Sequence, residues 1–192
     1  MEHITIFLGD STGHGVAAAL STIMANVILF EERKSSLEQV MVHLNEVFEQ
    51  HLPEERFISA ILTNISQYGE LKTIIAGHPP VILIPADGDV PILLKPNTTI
   101  LGILPKQLFN VHEIQHSLKT GDIVIHDTDG IYEVRNSDGK MFGIEGLRNF
   151  LSENRALDLD SLITHLIDHV NSFTQEEEAN DDITLIAFEY IG

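Results

Sequence analysis

The chain has no cysteine. That removes disulfides, thiolate metal sites and any chemistry run by a cysteine nucleophile, and it fits a reducing compartment. No apolar run approaches the ~20 residues that cross a bilayer, and no basic-then-apolar leader opens the sequence, so the chain reads as soluble and cytoplasmic. Cations are scarce: 11 Lys and Arg face 29 Asp and Glu, a formal net charge of −18. Such a surface repels nucleic acid, whose binding rests on neutralised phosphates, and it repels anionic membranes. Most of the acidic excess serves solubility, so only position can single out carboxylates that do chemistry. There is no Walker loop, and neither Ser11 nor Ser21 has a His-Asp partnership for nucleophilic attack.

What remains is 192 residues, 43% hydrophobic, enough for one sizeable core and short for two, so a single domain is expected over 1–192. Ile4–Leu8 reads as a buried strand stopping at Gly9-Asp10. A helix follows, with Ala17, Leu20, Met24, Val27 and Ile28 on one apolar face. A second helix runs from an N-cap at Ser36 to about His51 on the stripe Leu37, Val40, Met41, Leu44, Val47 and Phe48. Phe57–Ile65 and Leu71–Ala76 form a hairpin, and Val81–Ile84 with Val90–Leu94 form another. Phe109–His116, Ile123–His126 and Ile183–Tyr190 read as strands, Ile144–Ser152 and Leu159–Phe173 as helices, and Gln175–Asn180 as an acidic loop. Hairpins with grouped helices point to an α+β layered fold rather than parallel βαβ units.

Three places set an Asp in a tight loop beside an apolar strand: Phe7–Gly15 with Asp10, Ile123–Gly130 with Asp127 and Asp129, and Asn180–Ile186 with Asp181 and Asp182. Converging carboxylates repel one another unless a cation neutralises them, and hard divalent ions such as Mg²⁺ and Mn²⁺ prefer oxygen. The reading from residues alone is a carboxylate cage for one or two such ions. For any one Asp taken singly, an ordinary turn is the simpler account.

The segments Gly-Asp-Ser-Thr-Gly-His-Gly-Val-Ala-Ala-Ala-Leu (9–20), Ala-Gly-His-Pro-Pro (76–80), Leu-Gly-Ile-Leu (101–104), Gly-Asp-Ile-Val-Ile-His-Asp-Thr-Asp-Gly-Ile-Tyr-Glu (121–133), Phe-Gly (142–143) and Asp-Asp-Ile-Thr-Leu (181–185) stand in order along almost the whole chain. In this the chain resembles the metal-dependent, type 2C-like (PPM) protein phosphatases, in the bacterial branch that regulates stress and sporulation sigma factors. The resemblance implies an α-β-β-α sandwich of two antiparallel sheets flanked by helices. It implies two Mn²⁺ or Mg²⁺ ions that activate water against phosphoserine or phosphothreonine. Asp10, Asp129 and Asp181 match catalytic metal ligands, with Asp10 bridging and the Ser11 carbonyl as a further ligand. Gly13, His14 and Asp182 match positions behind the ligands or facing phosphate. The implied substrate is a phosphorylated regulatory protein such as an anti-sigma-factor antagonist of STAS type.

The family also has a strand pair ahead of the position of Ile4 with a Gly-Gly-Asp carboxylate. Its lack here makes the chain the expected C-terminal part of a longer protein, with an upstream sensor or receiver domain and a possible homodimer. It also leaves open an alternative: a catalytically weak or inactive module of the same fold that binds a regulatory partner. His78 reads as structural, and His165 with His169 as a solvated helix face rather than a zinc pair.

Overall fold

A computed structural model describes residues 3–13, 15–53, 56–88, 90–174 and 182–192. The chain divides into two units, Met1–Pro80 with Lys95–Ser117, and Val81–Leu94 with Leu118–Gly192. Each unit carries one four-stranded antiparallel sheet with helices on one face, so the α+β reading holds.

In the first unit the sheet order is β1 (His3–Ser11), β2 (Ile58–Ser66), β3 (Glu70–Ala76), β6 (Ile114–Ser117). Period-two alternation in β2 and β3 sends Ile58, Ala60, Leu62, Ile74 and Ala76 to one face. There they meet Leu37, Met41, Leu44 and Phe48 of α2 (Leu37–His51). Burying side chains such as Phe48 and Met41 contributes roughly 1.5–3 kcal/mol each. Helix α2 starts where the sequence says it should. The Ser36 hydroxyl accepts from Gln39 N, and the Gln39 side chain accepts from Ser36 N; this reciprocal cap contributes about 1 kcal/mol.

Two expectations in this unit shift. The strand at Ile4–Leu8 is longer, running through Asp10 to Ser11, and it is an edge strand rather than a buried one. Among the described residues it pairs only with β2, Leu8 is its one buried residue, and Ile4 is 67% exposed. Helix α1 (Val16–Glu31) exists, but its expected face holds only in part. Ile28 is buried and Met24 packs against the core as expected, whereas Leu20 and Val27 are exposed and Ser21 and Ala25 are buried instead. The helix is apolar almost all round, so spacing could not select its inner side, and Val16, Leu20, Ile23, Val27 and Phe30 lie exposed along it.

In the second unit the order is β5 (Ile92–Leu94), β4 (Val81–Ile84), β7 (Ile123–Asp127), β8 (Leu185–Glu189). Ile82, Ile84, Ile123 and Ile125 face a core built with α3 (Gly130–Glu133), α4 (Gly143–Asn154) and α5 (Leu159–Thr174). The expected α5 register holds for Leu162, Leu166 and Val170. His169 lies against the rings of Phe142 and Phe150. In the first unit a third expectation also shifts: the strand expected over Phe109–His116 is a strand only from Ile114. Before it, side chains replace a ladder: Thr98 Oγ1 donates to Asn110 O at 2.6 Å, and Asn97 Nδ2 donates to His112 O. The expected acidic loop at Gln175–Asn180 lies outside the described residues. Among the described residues no helix is long and apolar enough to cross a membrane.

Candidate metal and phosphate site

In the first unit, Asp10 is the next-to-last residue of β1, with Ser59 of β2 as its cross-strand partner. Paired residues share a face. The neighbours Ile58 and Ala60 point to the helix-side core, so Asp10 and Ser59 lie on the opposite face. The Ser59 hydroxyl sits 2.6 Å from Nδ1 of buried His78, in line with a structural role for that histidine.

Beyond Ser11 the pairing continues by other means. Thr12 N donates to Phe57 O at 3.1 Å, and Phe57 N donates to the Thr12 hydroxyl at 3.2 Å. Gly13 has φ 79°, and the Arg56 guanidinium lies against it while donating to Thr12 O. A Cβ at position 13 would stand 1.8 Å from Arg56 Nη1. Glycine is favoured here chiefly by the left-handed conformation, since the approaching atoms are the far end of a flexible side chain. Arg56 places a half-buried cation beside the Asp10 loop of a strongly acidic chain. His14 lies outside the described residues.

In the second unit, β7 delivers a run in which every residue from Asp122 to Tyr132 is buried except Asp129. Thr128 joins this turn to the lead-in of β8. Its N–H donates to Thr184 O at 3.1 Å, and its hydroxyl accepts from Thr184 N at 3.0 Å and donates to Asp182 O at 3.2 Å. Gly130 permits the contact, because a Cβ there would fall 2.4 Å from Asp182 O. Asp129 and Asp182, 53 residues apart in sequence, are thus brought together, both exposed. Asp181 lies outside the described residues.

Behind Asp129, the Tyr132 hydroxyl donates to Asp127 Oδ1 at 2.5 Å. Burial pushes the Asp127 carboxyl up to about 7, against the pull of the Tyr132 bond. Burial and then the neighbouring Asp127 raise the Tyr132 hydroxyl above its ordinary value, so it stays a donor.

Sequence reasoning missed Thr128, Gly130 and Tyr132 as individuals and gave Asp127 no role beyond its place in an acidic loop, although all four lie inside a segment it singled out. The available signal was Asp127, a carboxylate in phase with Ile123 and Ile125 on the inward face of a strand. Nothing in the sequence pointed to Arg56. The donor set in these two places is oxygen only, and with no thiolate in the chain it suits Mg²⁺ or Mn²⁺ better than softer ions. Among the described residues no three of His, Asp or Glu stand together as an ion cage.

Comparison with known proteins follows the same lines. The family model described as Stage II sporulation protein E (SpoIIE) matches residues 2–191. Phosphoserine phosphatase RsbU of Bacillus subtilis (strain 168) is 25% identical over 188 residues, 96% of this chain and 55% of its own. This chain therefore spans about half the length of that relative. Among solved structures, the SiaA-PP2C domain of Pseudomonas aeruginosa matches with TM-score 0.80 at 18% identity, covering 97% of this chain and 80% of its own. The RsbU and RsbW domains of Rv1364c from Mycobacterium tuberculosis match with TM-score 0.79 at 21% identity, covering 97% and 51%. At these identities the structural matches establish the fold.

Proposed function

This chain belongs to the Stage II sporulation protein E family of PP2C-like proteins, and we propose from that premise that it is a metal-dependent serine/threonine protein phosphatase acting in sigma-factor regulation. The observation that carries the reading is the Thr128–Gly130 stitch, which holds the exposed Asp129 against the Asp182 segment. A turn made only to reverse the chain has no need to present a carboxylate this way.

Asp10, Asp129 and Asp181 would hold the ions, with Asp10 bridging and the Ser11 carbonyl as a further ligand. Gly13, His14 and Asp182 would stand behind them or face the phosphate. Two structural relatives support the choice of ion: RsbX was solved in complex with magnesium, and the catalytic domain of PstP with 2 manganese ions. When bound, such ions neutralise phosphate oxygens and acidify water. The chain's own part is positioning: Thr12 and Thr128 fix the strand ends, and the strong negative field favours cation capture.

The proposed substrate is a phosphorylated regulatory protein, of the STAS anti-sigma-factor antagonist type. The match to RsbU and a matching stressosome structure support a regulatory setting. An upstream sensor or receiver domain and a homodimer are proposed for the longer protein.

The test is manganese-dependent phosphate release from a phosphoserine protein by the wild type and by Asp10→Ala and Asp129→Ala. Turnover should need the metal and fall in both variants. Equal turnover in all three would remove the catalytic assignment. Binding of the phosphoprotein without release would favour the inactive-module reading.

A further inference from the structure

We propose that Tyr132 and Asp127 form a positioning clamp for Asp129, in which the hydroxyl–carboxyl bond locks the turn that presents this carboxylate to a divalent cation. The proposal rests on the phosphatase reading above and adds two residues that the family resemblance did not assign.

The bond closes the chain on itself five residues apart, with Asp129 between its ends. Inside the loop, Tyr132 N donates to Asp129 O at 2.8 Å and Glu133 N to the same oxygen at 3.1 Å, which forms the single turn of α3. Asp129 stands at the N-cap of that turn yet makes no side-chain cap bond. Its carboxylate is not spent on the helix and remains exposed. On the other side, the Thr128 hydroxyl ties the turn to Asp182 and Thr184. The Asp129 side chain thus projects from a turn fixed at both flanks.

Stability alone does not explain the pair. Asp127 is 0% exposed and Tyr132 9% exposed, and both sit in the core built by α3, α4 and α5. A purely apolar pair would fill this space without desolvating two polar groups. What the polar pair supplies is direction: one donor, one acceptor, one angle. A carboxylate ligand needs that, because partners behind the metal ligands set ligand orientation, and losing one typically lowers metal affinity by roughly 10–100-fold.

The experiment is Mn²⁺ calorimetry, with activity measured across Mn²⁺ concentrations, on the wild type, Tyr132→Phe, Asp127→Leu, Asp127→Asn and the double variant Tyr132→Phe/Asp127→Leu. Tyr132→Phe should weaken Mn²⁺ binding by about 10-fold or more, with kcat largely regained at saturating metal. Asp127→Asn keeps an acceptor for the hydroxyl and should lose less than Asp127→Leu. The double variant should be no worse than the worse single. Amide exchange at residues 128–131 in metal-free protein should speed up in Tyr132→Phe, a readout independent of any activity.

Unchanged Mn²⁺ affinity in a folded Tyr132→Phe, or losses that simply add in the double variant, would overturn the clamp. Should the wild type bind no Mn²⁺, the phosphatase reading fails, and the exchange measurement still decides whether the bond orders the turn.

Discussion

Strand β7 reaches its carboxylates between two neighbours, β4 and β8, with all five residues buried, whereas β1 reaches Asp10 along a sheet edge with only Leu8 buried. Both ends use the same device, a threonine whose hydroxyl and N–H bridge to the adjoining segment: Thr128 to Thr184 and Asp182, Thr12 to Phe57. The surroundings differ. Thr128 is buried and Thr12 half-buried. Gly130 packs against the Asp182 backbone, and Gly13 against the far end of an arginine. One carboxylate is held by the core, the other by a local and adjustable contact.

The largest test of this asymmetry is removal of the carboxylates themselves. Asp129→Ala and Asp10→Ala should each lower metal-dependent turnover beyond the ~100-fold typical of supporting partners. Next come the glycines. Gly130→Ala must push against the Asp182 backbone and should cost about 1–3 kcal/mol in urea unfolding, with weakened Mn²⁺ binding. Gly13→Ala can displace a flexible guanidinium and faces chiefly the left-handed backbone, a cost of roughly 1–2 kcal/mol. A larger loss at position 13 than at 130 would reverse the proposed order of rigidity.

The threonines follow. Thr128→Val leaves the Thr184 N–H without its side-chain acceptor at a part-buried bond and should cost about 0.5–1.5 kcal/mol. Thr12→Val, nearer solvent, should cost less in the same melts.

The smallest effect lies outside both strand ends. The Ser35 hydroxyl first, and then His43 at 3.1 Å, hold Glu32 below the usual carboxylate range against the opposing effect of desolvation. A lowered pKa favours the folded state above the ordinary value of 4.5, and that gain is lost as pH falls through the lowered value. Wild type should therefore lose slightly more stability than Glu32→Gln between pH 7 and pH values below 4.5, seen as converging urea midpoints. Parallel midpoints would show that this exposed contact contributes nothing.

How much of this was legible depended on whether the burial pattern was written in one residue type. Helix α2 was readable because its polar and apolar faces alternate at helical spacing and Ser36 with Gln39 marks its start. Its neighbour α1 was legible only in part, because an apolar residue occupies most positions and only tertiary contact decides that Ser21 and Ala25 turn inward while Leu20 and Val27 do not. An edge strand and a central one look alike in sequence, so the exposure of β1 was invisible.

The carboxylates show the same limit. Asp122, Asp127 and Asp129 lie within eight residues of one another. Asp122 is buried and accepts from Ala86 N and Lys119 N, which fixes a turn. Asp127 accepts from Tyr132, and Asp129 alone faces outward. Motif order singled out Asp129, but the physical division of labour among the three needed their hydrogen bonds.

The central claim is that the side chains of Asp10, Asp129 and Asp181 serve the same divalent ions. Carboxyl-carbon NMR of the protein under substoichiometric Mn²⁺ tests it most directly, since paramagnetic broadening falls steeply with distance. The account predicts that these three signals broaden together and first, while the buried turn carboxylate of Asp122 stays sharp. Broadening confined to one of the three, or spread evenly over the acidic surface, would contradict it.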